Sequence, residues 1–357
     1  MFLFIIFSYI FLNLIIAYIT YTKLRPFYPG HNNPIHNRFP EFNRKDTLSF
    51  PKLYFGLLFL VWPRLILTVI ILTILSIVLT INKHNPKLYP CKDAFYRLCI
   101  HIVVFLLGGI IPKWKLLTHE CRAVYSKYLG ADYFDNTALQ TKRFAGIVSN
   151  HISYIDVFIY ATKYTCSFIG KKTIEKIPIV STIAKYTNTI FFDRIKESDR
   201  STTAEEIIKQ QHKVLNGEVR TPILVFPEGT VSMGRNILQF KRGAFMSCLP
   251  LKPFVELIDQ DENTFELANG VLPLAFHLIH ALSQVYINVT ILDLPVVQPT
   301  TYMLEQYAHF GKEKWMVYRE VTRRIMAEVS GLELSDKGFQ EKLEYISMIK
   351  GKKVKNT

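Results

Sequence analysis

Acidic residues are few in this chain: Asp and Glu number 29 against 43 Lys and Arg, a net charge of +14 over 357 residues. The excess of base suits an anionic membrane face or phosphate-bearing ligands. Nucleic acid would answer the same charge, yet no helix-turn-helix, zinc-finger or RNA-recognition pattern accompanies it, so no nucleic acid partner is expected. Cysteine is equally sparse. Cys91, Cys99, Cys121, Cys166 and Cys248 are odd in number, scattered and free of any C-x-x-C pair, which supports neither a disulfide framework nor a zinc site and makes a reducing compartment the default. His277 and His280 could share a helix face, but no Cys or carboxylate stands beside them at ligand spacing. They read as packed side chains, and no metal is expected. The chain has no G-x-S-x-G, the nucleophile elbow that a lipid hydrolase would want. It has no internal repeat either.

What the chain does have is apolar length. Phe2 to Ile19 is uncharged and long enough to span a bilayer. A secretory signal would show a basic start and an A-x-A site; both are lacking, and Lys23 and Arg25 follow. Residues 1–21 therefore read as an uncleaved anchor whose C-terminal side faces the cytosol. Pro26, Pro29, Pro34 and Pro40 make 22–53 a polar linker too rich in proline for a helix. A second apolar stretch, 54–81, is interrupted by Trp62, Pro63 and Arg64. An arginine at mid-membrane costs about 2.5–3.5 kcal/mol, which places Arg64 at the interface with Leu65 to Ile81 beyond it, spanning or re-entrant. Ile100 to Ile111, bracketed by Arg97 and Lys113, reads as an interfacial or domain-packing helix within a connector over 95–142.

From Phe144 the texture changes. Short apolar β-type runs at Phe144–Val148, Thr165–Ile169, Thr189–Phe192, Ile223–Phe226, Leu251–Leu257 and Tyr286–Leu292 alternate with amphipathic stretches, the mark of an α/β domain over 143–330. Ser198 to Leu215 carries Ile207, Ile208, Gln211 and Leu215 at helical spacing and predicts a surface helix, and Tyr318 to Glu328 predicts another. Residues 331–357 read as a basic tail, disordered from Lys350.

The chemistry sits where apolar runs stop. In SNHISYIDVFIYAT, Ser149 to Thr162, a His and an Asp lie five apart just beyond a strand-like run. Within one helix they would be separated by roughly 140°, so His151 belongs before the helix or in its first turn. There the positive end of the helix dipole disfavours imidazolium and keeps the ring neutral, as a general base must be. Asp156 can then orient the ring through its other nitrogen. Such a pair needs no protein nucleophile and can deprotonate a substrate hydroxyl. ILVFPEGTVSMG, Ile223 to Gly234, ends another apolar run in Glu228, Gly229 and Thr230, a setting that suits a phosphate or polyol as well as a plain turn. NTIFFDRIKESDR, Asn188 to Arg200, offers Arg194 as a planar fork for phosphate or as a surface ion pair.

Together these blocks resemble the glycerolipid acyltransferase superfamily, most closely its lysophosphatidylcholine acyltransferase branch, over about Arg143 to Val329. NHISYID is similar to the family's N-H-x-S-x-x-D block, NTIFFDR to the second, FPEGT to the third and LPLKPF, Leu249 to Phe254, to the fourth. The stretches FKRGAF, VWPRLIL and YINVTILDLPVVQPT are similar to features of that branch. The resemblance implies an α/β fold, a mixed sheet flanked by helices, with N-terminal membrane-associated helices. It implies transfer of a fatty acyl group from acyl-CoA, a co-substrate rather than a bound cofactor, to the free hydroxyl of a lysophospholipid at a bilayer. His151 would be the base and Asp156 its orienter. Arg194, Glu228, Gly229 and Thr230 would hold the glycerophosphate end of the acceptor, and Pro250 and Pro253 would shape the acyl pocket. Lys171 and Lys172 would meet acidic groups of either substrate or form a solvated face. Glycerol 3-phosphate or lysophosphatidic acid as acceptor, or a non-catalytic lipid-binding membrane protein, are the alternatives.

Two departures from the family pattern matter. Asn188 stands where many members have Gly, which is tolerable in a left-handed position. Val231 stands where bacterial members often carry Arg and this branch often carries Cys, which leaves the head group open. No calcium-loop sequence follows the catalytic region. Lys353 and Lys355 in KVKNT resemble an endoplasmic-reticulum retrieval signal. With the anchor and acyl-CoA, they make that membrane the expected location, the catalytic domain on the cytosolic side and the sequon at Asn288 unmodified.

Overall fold

The structure, a computed structural model, describes residues 1–28, 34–81, 85–135, 143–192, 198–258 and 265–351. The chain opens with helix α1 (Phe2–Leu24), short α2 (Pro34–Arg38) and α3 (Phe50–Gly56), which continues through a π turn at Leu57–Val61 into α4 (Trp62–Thr80). Pro63 has no N–H to give the preceding turn, and the widened π turn absorbs the mismatch. Helix α5 (Tyr89–Leu106) then leads to the first strand. The strands are β1 (Ile110–Leu116), β2 (Gly146–Ser149), β3 (Ile169–Lys171), β4 (Ile190–Phe192), β5 (Ile223–Val225), β6 (Asn236–Ile237), β7 (Leu251–Ile258), β8 (Ile287–Asp293) and β9 (Glu333–Leu334). The remaining helices are α6 (Arg122–Leu129), α7 (Asp156–Ala161), α8 (Pro178–Tyr186), α9 (Ser198–Leu215), α10 (Leu274–Leu282), α11 (Thr301–Gln306), α12 (Lys314–Ser330) and α13 (Phe339–Ile349).

The main sheet runs β1-β8-β7-β2-β5 and is parallel except where β7 meets β8. All of β2, Gly-Ile-Val-Ser, is buried, as a central strand covered by helices on both faces must be. On one face Tyr125 of α6, Ile207 of α9 and Tyr318 of α12 close a core with Val148, Val225 and Val255. On the other, Leu75 and Leu79 of α4, Tyr96 of α5 and Ile159 of α7 close a second core with Ile147, Leu224 and Phe254. The mixed α/β sheet flanked by helices that the resemblance implies is therefore the one found, with two apolar N-terminal helices long enough to cross a membrane.

Several expected boundaries move. The run Ile100–Ile111 is not one helix: α5 stops at Leu106, and Gly108 and Gly109 turn the chain into β1, an edge strand of the main sheet. Gly109 has φ 67°, and a Cβ there would lie 2.1 Å from the Val285 carbonyl oxygen, so only glycine fits. The sheet thus begins at Ile110, well before residue 143. The linker over 22–53 is not free of helix, since Pro34 opens α2, where a missing N–H costs nothing. Beyond α2 the linker packs: Phe39 and Phe42 are buried with Leu238, Val271 and Tyr345. Tyr345 belongs to α13, so the expected tail over 331–357 holds an ordered helix, and only its end lies outside the described residues. Arg64, expected at a membrane interface, has protein partners. It is buried, donating to the carbonyls of Leu282 (2.6 Å), Gln284 and Val285 (3.1 Å), and so satisfies the C-terminal end of α10.

Candidate active site

The site forms where β2 and β5 end side by side. After Ser149 the chain leaves the sheet, and Asn150 ties the exit down through two bonds to β7: Nδ2 donates to the Glu256 carbonyl (2.9 Å) and Oδ1 accepts from the Glu256 N–H (2.8 Å). His151 follows, outside α7, and Asp156 is the first residue of that helix. The Asp156 Oδ2 accepts from His151 Nδ1 (2.8 Å), Ile152 N (2.8 Å) and Ser153 N (2.9 Å). The carboxylate is fully buried and the imidazole partly exposed, at 0% and 21%. Because Nδ1 faces a carboxylate, it carries the proton, and Nε2 is left as the lone-pair nitrogen able to take a proton from a bound hydroxyl. The ring stacks on Phe226 at 4.1 Å between centroids and 11° between planes, which limits its rotation. The sequence did not point to this stack, although Phe226 adjoins FPEGT and its register beside β2 could have indicated it.

The third block lies against this loop. Glu228 is fully buried and accepts from the N–H groups of His151 (3.0 Å) and Leu238 (2.9 Å). Burial pushes its carboxyl up to about 8 against the pull of those two donors. Glu228 thereby ties the His151 loop to Leu238, a role the sequence did not indicate. Ser232 N–H donates back to the His151 carbonyl (2.8 Å), lacing the two loops together. Gly229 lies between them at φ 65°, where a Cβ would come 2.6 Å from Lys241 Nζ. The positive φ favours glycine here, and the close approach places the end of Lys241, from FKRGAF, at the site. Thr230 is buried beside it. Lys342 of α13 donates to the Val231 carbonyl (2.6 Å), and burial brings its amine down to about 8. A segment read as a tail thus supplies a cation next to the position where arginine is lost.

The other expected site residues are less well gathered. Arg194 lies outside the described residues. Lys171 ends β3 and Lys172 is exposed at the turn that follows. Pro250 accepts from Ala145 N–H (2.8 Å), while Pro253 lies within β7 opposite Val148 and accepts from Leu294 N–H (3.3 Å). Both prolines are thus built into the sheet. Asn188 does adopt the left-handed conformation expected of it, at φ 55°.

Behind the loop lies a polar cluster that the sequence reading missed. Tyr154, inside NHISYID, meets His277 Nδ1 (3.2 Å), and His277 Nε2 meets Arg44 Nη1 (3.3 Å). Arg44 pairs with Asp46 at 2.5 Å and donates to the carbonyls of Ala268 and Glu266. Burial and the Arg44 charge hold His277 well below its usual range and bring His280 down to about 3, so both rings stay neutral. The packed reading of these histidines holds. Their partner comes from the N-terminal linker, which no spacing could reveal.

Residues 133–255 match the acyltransferase family. A lysophospholipid acyltransferase of Arabidopsis thaliana is 29% identical over 216 residues, covering 59% of this chain and 51% of that protein. Lysophosphatidylcholine acyltransferase 1 of Homo sapiens is 30% identical over 207 residues, covering 57% of this chain and 36% of that protein. The chain thus spans about half or less of the length of these curated relatives. The crystal structure of the 1-acyl-sn-glycerophosphate acyltransferase of Thermotoga maritima aligns at a TM-score of 0.40 and 16% identity, covering 75% of this chain and 95% of that one, too distant to bear on the site. The ordered blocks from NHISYID to LPLKPF all fall within the matched residues, and two of them, NHISYID and FPEGT, build the His151 loop. Residues 133–255 thus carry the acyltransferase match, and the curated relatives support the lysophosphatidylcholine acyltransferase-like branch of the glycerolipid acyltransferases.

Proposed function

We propose that the protein transfers a fatty acyl group from acyl-CoA to the free hydroxyl of a lysophospholipid. The observation that carries this reading is the His151–Asp156 pair, with Nδ1 held by a buried carboxylate and the ring partly exposed. His151 Nε2 takes the hydroxyl proton as the acceptor oxygen attacks the thioester carbonyl. The tetrahedral intermediate collapses with loss of the CoA thiolate, which recovers the proton from the imidazolium, giving phospholipid and free CoA thiol. Asp156 stabilises the transient cation. Lys241 beside Gly229 supplies positive charge for the acceptor phosphate. The test is thiol release from acyl-CoA by purified protein, with and without lysophosphatidylcholine, lysophosphatidylethanolamine, lysophosphatidic acid and glycerol 3-phosphate. The expected result is release that depends on a lysophospholipid. Release stimulated only by glycerol 3-phosphate would change the acceptor class, and no stimulation by any acceptor would favour a lipid-binding protein.

The same reading extends to the membrane. The two ends of α4 both touch the catalytic domain: Arg64 bonds the end of α10, and Leu75 and Leu79 pack with Tyr96 of α5. Its outer face leaves Ile66, Ile70, Ile74 and Ile77 exposed. A helix docked on one domain at both ends has no free half to carry across a bilayer, so α4 lies in the near leaflet and α1 is the anchor. The catalytic domain then faces the cytosol at the endoplasmic reticulum, where acyl-CoA is held. A C-terminal tag in sealed microsomes is expected to be digested by added protease, with Asn288 carrying no glycan. Protection of the tag with glycosidase-sensitive mass at Asn288 would place the domain in the lumen.

A further inference from the structure

Glu256 stands out as a charged residue type on an interior strand. It lies in β7, between β2 and β8, fully buried, and both of its carboxyl oxygens are without a hydrogen-bond partner. Asp156 Oδ1 is another buried carboxyl oxygen without a hydrogen-bond partner, and its sister oxygen holds His151 and two backbone N–H groups. The two residues are neighbours through Asn150, whose side chain bonds the Glu256 backbone twice while its own backbone leads directly into His151. On β7 the residues two before and two after Glu256, Phe254 and Ile258, join the core that α7 covers, so the Glu256 side chain points to that face, where Tyr160 of α7 bonds Ser149 at 2.5 Å. Two carboxylates in one dry pocket cannot both be ionised without a cation between them. The nearby cations are already committed: Lys163 and Lys252 both pair with Asp293 of β8, at 2.5 and 2.6 Å.

One proton resolves the arrangement. Asp156 has three donors on Oδ2 and keeps its charge, whereas Glu256 has none on either oxygen. We propose that Glu256 is a positioning residue whose carboxyl, in its acid form, donates a hydrogen bond to Asp156 Oδ1 and so holds Oδ2 on His151. Burial first, and the Asp156 charge second, push Glu256 well above the usual carboxylate range, consistent with a retained proton. The groups facing it are Asp156 and Tyr160 from α7 and the neutralised Asp293 from β8. The donated bond disperses the Asp156 charge. Without it the carboxylate would stabilise the His151 cation more strongly, and the ring would remain protonated to higher pH.

This role rests on the proposed acyl transfer for its kinetic readout, but the titration of His151 can be followed without any turnover. The experiment compares Glu256→Leu and Glu256→Gln with the parent, using the pH dependence of diethyl pyrocarbonate labelling at His151, read by peptide mass, beside acyl-transfer kinetics. Glu256→Leu is expected to raise the His151 midpoint by about one pH unit and to lower kcat about tenfold with KM unchanged, the loss of a single buried hydrogen bond. Glu256→Gln, which keeps an N–H donor, should rescue both readouts. A parent-like labelling profile in Glu256→Leu, or a Gln variant that behaves as the Leu variant does, would overturn the proposal. Loss of acyl transfer in the parent itself would overturn only the assigned reaction, since the labelling arm still reports on Glu256.

Discussion

His151→Ala is expected to lower acyl transfer by about 10²–10⁴-fold, the range for removal of a general base, while leaving the fold in place. The contacts of the ring are few: one bond to Asp156 and one stacking face on Phe226. The contacts that shape the loop are made by the backbone of His151, whose N–H donates to Glu228 and whose carbonyl accepts from Ser232, and alanine retains both. Asp156 keeps its two backbone donors, Ile152 and Ser153, so no buried charge is stranded. Asp156→Asn probes the other half of the pair. An amide can accept the Nδ1 proton through only one atom, and a flipped amide would present N–H to the ring and favour the wrong tautomer. Initial rates at saturating acyl-CoA, with circular dichroism as the fold control, decide the matter. A His151→Ala rate within threefold of the parent would sink the general-base mechanism.

Arg44→Ala is expected to cost about 3–5 kcal/mol of stability, as the removal of one partner from a buried ion pair does. Arg44 and Asp46 are each only 2% exposed at the side chain. The guanidinium also donates to the Glu266 and Ala268 carbonyls and lies over the rings of Tyr28 and Phe265 at 5.3 and 5.7 Å. Its removal leaves Asp46 charged in a dry site and frees the strap that carries Phe39 and Phe42 into their core. The cluster reaches Tyr154 through His277, so the looser strap should also weaken the catalytic loop. Thermal melting in detergent should show a clear drop, and a paired Arg44→Met, Asp46→Leu variant should recover much of it because neither charge is then stranded. A melting point for Arg44→Ala within about 2 °C of the parent would mean that the strap is not held by this pair.

Much of the catalytic centre was legible because its chemistry is local. NHISYID and FPEGT carry their own geometry: a base before a helix, an acid in its first turn, and a glycine where the next loop crosses closely. Five of the six runs read as β became strands, Thr165–Ile169 meeting β3 only at its last residue, and Ser198–Leu215 became α9, because periodicity reports which face is buried wherever a sheet or helix lies against one core. The apolar N-terminal helices followed from composition alone.

Tertiary structure decided where polar segments go, and the reason is physical. A proline-rich linker and a lysine-rich tail look solvated in sequence because their partners are backbone carbonyls and charges contributed by distant segments. Arg44 finds the Glu266 and Ala268 carbonyls, and Lys342 finds the Val231 carbonyl, only after the sheet has formed. Arg64 reads as a charge seeking the membrane surface until the end of α10 offers three carbonyls to it. Glu228 reads as a ligand for substrate in sequence, and only the fold brings the N–H groups of His151 and Leu238 to its two oxygens. Apolar burial has a period that one strand or helix can display by itself. The satisfaction of a buried polar group has none, since its partner is set by how the elements pack.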